Sequence, residues 1–426
     1  IYTKRREKYC FVDSIVVYYT TLHCAGGGMV CCLPLYTLFF CCMNDNMIKI
    51  LSIFGTRPEA IKFAPVLLAL SKDPRFKSCV VVTAQHRQML DQVLKLFNIT
   101  PDHDLNIMKK DQTLNHVLSA ALEGLSSVIE MEKPDIILVQ GDTTTAFAGA
   151  IAGYHARIPV GHIEAGLRTG DLYAPFPEEG NRQMISRIAS LHFAPTERNR
   201  ETLISEGVVP SFVFVTGNTG IDTLQWIVNE NDNDAILNQA KGLFSPALLS
   251  VVESDAKILL VTGHRRENHG RGFEQIAEAL KEIVNTHADV VVVYPVHPNP
   301  KVLEPMRVAL GDTPRILLID PLDYHPFVTL MKRSHIILTD SGGVQEEAPS
   351  VGKPVLVLRE KTERPEAVAA GTALLVGTDK EMILAALNRL LDDADYYENF
   401  GKITNPFGDG KASGRIIEIL NDFGHK

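Results

Sequence analysis

Seven cysteines occur in 426 residues, and six of them lie within the first 42, leaving only Cys79 beyond. A body with a single cysteine is not a disulfide-stapled secreted protein, and its composition points to the cytosol. Positive charge is not in excess either, with 42 Lys and Arg against 51 Asp and Glu for a net charge of −9. The chain therefore has no bulk electrostatic reason to bind nucleic acid, which normally takes a basic stripe that displaces counterions, and an anionic ligand must be met by a local cluster of cations or helix ends. No G-x-G-x-x-G follows a strand with an acid downstream, which argues against a nicotinamide cofactor. The body has no H-E-x-x-H, no paired C-x-x-C and no nucleophile elbow, so no metal and no cofactor are expected. Internal repeats and low-complexity tracts are also missing. What remains is an ordinary globular composition, 45% apolar and 22% charged. At roughly 150 residues per domain, that length suggests two or three domains.

Residues 1–46 differ from the rest. No Asp, Glu, Lys or Arg occurs from Ser14 to Asn44, and Lys4-Arg5-Arg6 precedes this run. Such a pattern is that of a signal anchor, but Gly26-Gly27-Gly28, His23 and Pro34 interrupt it. Positive-inside orientation would also carry the body out of the cytoplasm. Met47 stands directly before the first clean strand–loop–helix pattern. The expectation is an extraneous or disordered extension over 1–46, joined by a wrong start assignment, with no stable membrane association.

From Met47 onward, short β-branched runs alternate with helix-length segments. One series comprises Ile48–Phe54, Cys79–Thr83, Ile136–Val139, Ile158–Ile163, Leu191–Ala194 and Phe212–Val215. A second comprises Ile258–Val261, Val290–Tyr294, Ile316–Ile319, Ile336–Leu338, Val355–Leu358 and Leu374–Val376. Continuous apolar strands between helices mark parallel sheets covered on both faces. The pattern predicts an α/β protein of two Rossmann-like doubly wound domains facing a central cleft, with the less regular, Asn- and Asp-rich stretch at 218–254 between them. The domains are expected at 47–217 and 218–405, followed by a terminal helix over 406–426.

Most strands end in a polar cluster, and ligands of open parallel sheets bind beyond the carboxyl ends of the strands. Gly55-Thr56-Arg57-Pro58-Glu59 predicts a capping box that opens a helix. Arg57 and Lys62 are either diphosphate-binding cations or surface charges on that helix. Asp340-Ser341-Gly342-Gly343 predicts a phosphate-cradling turn, with Glu346 and Glu347 in the first helical turn and available to ribose hydroxyls. Asp142, Glu164 and Glu178 are acids from the first half, and together with Arg57 and His264 they form a candidate acid–base set. Taken singly, each could simply be solvated.

The assembled motifs Phe54–Lys62, Gly141-Asp142-Thr143-Thr144-Thr145, Gly161–Thr169, Thr262–Asn268 and Asp340–Pro349 resemble those of the non-hydrolysing UDP-N-acetylglucosamine 2-epimerases of bacteria. The resemblance runs from Met47 to near the C-terminus. It implies a glycosyltransferase-B-type fold whose C-terminal helix returns to the first domain. It also implies interconversion of UDP-GlcNAc and UDP-ManNAc for surface polysaccharide synthesis, in a cytoplasmic homodimer. The family's uridine and diphosphate contacts fall on Arg57, Lys62, His264, Leu322, Phe327, Ser341, Gly342, Gly343, Glu347 and Arg364. Its catalytic acids fall on Asp142, Glu164 and Glu178. An activating second substrate site of many members would involve Gln85, His86, Arg265 and His297. Two departures stand out. Leu322 replaces a Gln of some relatives, leaving a backbone contact there, and Gly220 replaces an apolar residue at the hinge-proximal helix start.

The C2 proton of the sugar is not adjacent to a carbonyl, so a carboxylate cannot simply remove it. Departure of UDP first would acidify it, and this chain has diphosphate holders and acids for such a route. Three alternatives stand beside this reading: a hydrolytic epimerase releasing ManNAc and UDP, a retaining glycosyltransferase on the same fold, which would need an acceptor, and a silent UDP-sugar sensor, against which the intact acids Asp142, Glu164 and Glu178 argue.

Overall fold

The computed structural model describes residues 6–12, 15–21, 47–84, 87–109, 112–230, 238 and 240–424. Contacts divide the chain into Ile1–Met47 and Ile48–Lys426. In the first unit, β1 (Arg6–Val12) pairs antiparallel with β2 (Ile15–Thr21).

The second unit holds two sheets whose strands are all parallel. The first contains β3 (Ile48–Phe54), β4 (Phe76–Val82), β5 (His103–Asp104), β6 (Ile136–Gln140), β7 (Val160–Ile163), β8 (Leu191–Ala194) and β9 (Val213–Val215). Its order is β5-β4-β3-β6-β7-β8-β9. The second contains β10 (Lys257–Thr262), β11 (Val290–Pro295), β12 (Ile316–Ile319), β13 (Ile336–Thr339), β14 (Val355–Val357) and β15 (Ala373–Leu375), in the order β12-β11-β10-β13-β14-β15. In both sheets the chain winds outward one way from a central strand and then resumes on that strand's other side. The order thus reverses between β3 and β6 and again between β10 and β13, and such switch points open a crevice at the strand ends. The two-residue β5 was not expected. Its Val81↔His103 and Val82↔Asp104 register places it at a sheet edge, where no apolar run is needed.

The strands read as apolar runs because helices cover both faces. Ile50, Phe54 and Val82 enter one core with Phe63 and Leu67 of the helix Arg57–Lys72. Leu51, Ile53 and Val81 face the other side with Val117, Leu125 and Ala148. The second sheet is layered in the same way, with Leu259 and Val292 on one face and Leu260 and Val293 on the other.

The stretch expected to be less regular opens with a helix, Thr219–Glu230. Its apolar residues fall at helical spacing and serve both halves. Leu224 and Ile227 bury into the first sheet's core, while Ile221 joins the second's. The Asn and Asp residues from 229 onward obscure this pattern in the sequence. The last helix, Ala412–Gly424, packs Ile416, Ile417 and Leu420 into the first core. Its start is held by Asp222, whose carboxylate accepts from the Ala412 and Ser413 amides at 3.1 and 2.7 Å.

Candidate functional site

Each switch point brings two loops together, and the expected motifs occupy them. At the first, β3 ends in Gly55, where a Cβ would lie 2.0 Å from Thr83 Oγ1 of the neighbouring strand end, so only glycine fits. Glu59 Oε2 accepts from the Gly55 and Thr56 amides at 3.0 and 2.8 Å, closing the acidic half of the expected capping box. Burial pushes its pKa up to about 7 despite those bonds. Arg57 is the first residue of the helix, and among the described residues it has no ion pair.

β6 ends one residue before Gly141-Asp142, and β7 ends one residue before Glu164. The His162 ring Nε2 lies 2.7 Å from the Gly141 carbonyl. Burial lowers its pKa to about 3, so the ring is neutral and donates this bond. Glu164 adopts φ +68, a left-handed conformation uncommon outside glycine and often found at functional positions. Its carboxylate receives Lys62 Nζ on one oxygen and Gln140 Nε2 on the other. Burial alone would raise its pKa, but Lys62, Arg364 and Arg182 hold it below the ordinary value. Burial likewise works against the Lys62 charge, and Glu164 and Glu346 outweigh it. Both partners are thus ionised at neutral pH. Asp142 Oδ2 accepts Arg182 Nε and Nη2 at 3.0 and 2.5 Å, a fork from the helix Glu178–Ile188. Glu178 is the first residue of that helix and is half-buried.

At the second switch point, Asp340 is fully buried after β13. Its Oδ2 accepts from the His264 and Arg265 amides, both at 2.8 Å, and from Asn268 Nδ2 at 3.2 Å. His264 Nδ1 lies 3.2 Å from its other oxygen, and the ring stacks on His297 with centroids 5.6 Å apart. Burial would raise the Asp340 pKa, but these donors hold it below the ordinary value. Its contribution to stability is therefore present above the unfolded pKa of about 3.9 and disappears as pH falls through the lower folded value. Asp340→Ala is expected to cost about 1–3 kcal/mol at pH 7 through the orphaned amides. The same change should flatten the decline of the unfolding midpoint below pH 4. Thermal unfolding of both proteins across pH tests this, and parallel declines would remove Asp340 from the account.

Ser341 precedes the short helix Gly342–Glu347, and Gly343 is its exposed second residue. The Arg364 guanidinium lies over Gly342, with Cζ 3.5 Å from where a Cβ would stand. Glu346 and Glu347 are the fifth and sixth residues of this helix, not part of its first turn as expected. The glycines themselves begin the helix, and a 3-10 turn carrying Pro349 succeeds it at Ala348. Glu346 binds Arg364 Nε. Glu347 Oε1 accepts the Tyr324 hydroxyl at 3.1 Å, and burial pushes its pKa up to about 8. Leu322 and Phe327 are partly buried against the second core.

A cavity between the halves is lined by Glu164, Arg168 and Asn199 from the first and by Glu346, Arg364 and Phe407 from the second, with Asn218 at the crossing. It joins Glu164 with Arg364, and Lys62 reaches it through Glu164. Asp142, Glu178, Arg57 and His264 are not among its lining residues. Gln85 and His86 lie outside the described residues. Arg265 and His297 flank His264, and Asn299 donates its amide to His297 Nδ1 at 3.2 Å. Gln140, Arg182, Asn218 and Glu346 as an Arg364 partner were not singled out. Only Arg182 left a signal, four residues after Glu178 on one helix face. At this helix start Gly220 donates its amide to Asn218 Oδ1 at 2.8 Å.

Cys79, His103 and Glu132 place ligand atoms within 4.8 Å of one another. Lys49 Nζ already lies 2.6 Å from Glu132, and burial pushes the Cys79 thiol up to about 12. A protonated thiol beside a resident ammonium is a poor cation site.

Two doubly wound halves with loops meeting across a cavity, lined by Glu164 from one half and by Arg364, beside a Gly-Gly turn, from the other, define a two-domain α/β protein of the glycosyltransferase-B type. Family comparison is more specific. Residues 68–421 match the family model described as UDP-N-acetylglucosamine 2-epimerase. The UDP-N-acetylglucosamine 2-epimerase of Escherichia coli strain K12 is 54% identical over 374 residues, covering 88% of this chain and 98% of that protein. The enzyme of that name from Bacillus subtilis strain 168 is 51% identical over 380 residues, covering 89% and 97%. The crystal structure of UDP-GlcNAc 2-epimerase from Neisseria meningitidis bound to UDP-GlcNAc is 48% identical, with a TM-score of 0.79, covering 88% of this chain and all of that one. The chain belongs to the UDP-N-acetylglucosamine 2-epimerase family.

Proposed function

We propose that this protein interconverts UDP-GlcNAc and UDP-ManNAc without net hydrolysis, by eliminating and re-adding UDP. The observation that carries this reading is the meeting of Glu164 and Arg364 in one cavity, a carboxylate from the first half and a guanidinium from the second. The C1–O bond breaks and UDP leaves with the electron pair, held by Arg57, Lys62, His264 and Arg364 and by the turn at Ser341-Gly342-Gly343. Such preorganised donors act where charge develops. Positive charge at C1 acidifies the C2–H, and a carboxylate takes that proton to give a glycal-like alkene. Protonation of C2 from the opposite face and return of UDP to C1 complete the inversion. Asp142, Glu164 and Glu178 are the acids proposed for these transfers, and Glu347 with Phe327 and the Leu322 backbone would meet the uridine. Closure of the two halves keeps water from the alkene.

Cytoplasmic placement, a homodimeric state, supply of surface polysaccharide synthesis, and an effector site at Gln85, His86, Arg265 and His297 belong to the same proposal. Among the described residues, no helix is long and apolar enough to cross a membrane.

Proton NMR of UDP-GlcNAc incubated with the protein in D₂O tests the reaction. The expected result is the ManNAc epimer, with solvent deuterium at C2 of the sugar and only traces of free UDP. Stoichiometric UDP and ManNAc would establish the hydrolytic alternative. Epimer without deuterium at C2 would overturn elimination.

A further inference from the structure

We propose that Glu346 is a positioning residue that fixes the guanidinium of Arg364 against the segments where the chain crosses between the two halves, so that the grip on a nucleoside diphosphate is set at the crossover. Glu346 is 4% exposed, and both its carboxylate oxygens and its carbonyl are in use. One carboxylate oxygen accepts Arg364 Nε, and the other accepts Asn218 Nδ2 at 2.7 Å. Its carbonyl accepts Asn405 Nδ2, also at 2.7 Å. Asn218 belongs to the outgoing crossover and Asn405 to the returning one. The two segments are tied directly as well, since the Asn218 amide donates to the Phe407 carbonyl at 2.8 Å. A guanidinium held through Nε keeps its orientation, and with Nη1 of Arg364 donated to the Glu363 carbonyl at 3.3 Å it is Nη2 that faces the turn. Here Nη2 lies 3.5 Å from the Cβ position of Gly342, beside the Ser341-Gly342-Gly343 turn. Without Glu346, the side chain keeps its charge but loses its aim, and it loses its link to the crossover.

The inference rests on the diphosphate reading of Arg364 given above. Calorimetric titration of UDP into the wild type, E346A, E346Q, R364A and E346A/R364A tests it. Arg364→Ala is expected to weaken UDP binding about 100-fold and Glu346→Ala about 10-fold, with the double variant no weaker than Arg364→Ala, because coupled partners are non-additive. Glu346→Gln keeps an oxygen for Arg364 Nε and should recover part of the Glu346→Ala loss. If Glu346→Ala does not fold, E346Q with E346Q/R364A supplies the same comparison. Additive losses, about 1000-fold in the double variant, would make Glu346 a general structural residue and overturn the proposal. Unchanged affinity in E346A would do the same. A wild type that fails to bind UDP would instead overturn the nucleotide-sugar reading on which the proposal stands.

Discussion

Glu164→Gln is expected to lower turnover by at least ~100-fold, the usual scale for an acid–base residue, while affinity for UDP stays near that of the wild type. The two readouts separate because of where Glu164 stands. Its carboxylate is held ionised by Lys62, Arg364 and Arg182, so the substitution removes a charged acceptor of protons. Gln preserves the side-chain shape and can still receive the Lys62 ammonium on its oxygen, and its amide can donate to Gln140 once that side chain turns its own oxygen toward it. Lys62 and Arg364 remain, and they are the groups proposed to hold the diphosphate. Lys62 even loses an ionic competitor, so nothing in the substitution weakens the nucleotide site. Turnover by NMR and UDP binding by calorimetry check the pair of outcomes. Wild-type turnover would remove Glu164 from the proton transfers. A parallel collapse of UDP affinity would mean that the carboxylate serves to place Lys62, not to move a proton.

The strands could be recognised from the sequence because both sheets are covered on both faces, which forces apolar runs such as Ile48–Phe54 and Leu191–Ala194. The motif loops were recognisable for a related reason. A doubly wound sheet offers its crevice only at strand ends, and Gly55, Gly141, Gly263 and Asp340 each follow a strand that flanks a switch point. The pairing of side chains was not visible. Lys62 meets Glu164 across 102 residues, and Asn218 meets Glu346 across 128, so no local spacing encodes either contact. The turn position of Glu346 and Glu347 depended on where a glycine-rich helix starts, and propensity locates such starts poorly because glycine disfavours helix interiors. The dual role of the helix Thr219–Glu230 was hidden for another reason. Its apolar face is divided between two cores, so neither half of the pattern looks complete.

A second large effect concerns Asp142 and the residue that aims it. Asp142→Asn is expected to reduce turnover by at least ~100-fold, again with UDP binding retained. Arg182→Ala should reduce it by about 10–100-fold, through misplacement and not through loss of the reacting group. The ranking follows from the geometry. Arg182 grips Asp142 Oδ2 with two nitrogens and reaches Glu179 Oε2 with a third at 3.1 Å. Glu179 is itself fully buried and accepts the Thr169 amide at 3.1 Å, so the fork ties the loop after β7 to the helix that begins at Glu178. Asn181 adds a bond from Nδ2 to the Asp142 carbonyl at 2.9 Å, which keeps the backbone of Asp142 in place when Arg182 is removed. The carboxylate then survives with its main chain fixed and only its side-chain orientation released, hence the smaller loss. Arg182→Lys should recover little, because an ammonium cannot make the two-nitrogen contact. Turnover measured for the three variants decides the matter. If Arg182→Ala costs as much as Asp142→Asn, the guanidinium itself touches the substrate, and if it costs nothing, Asp142 works without being aimed.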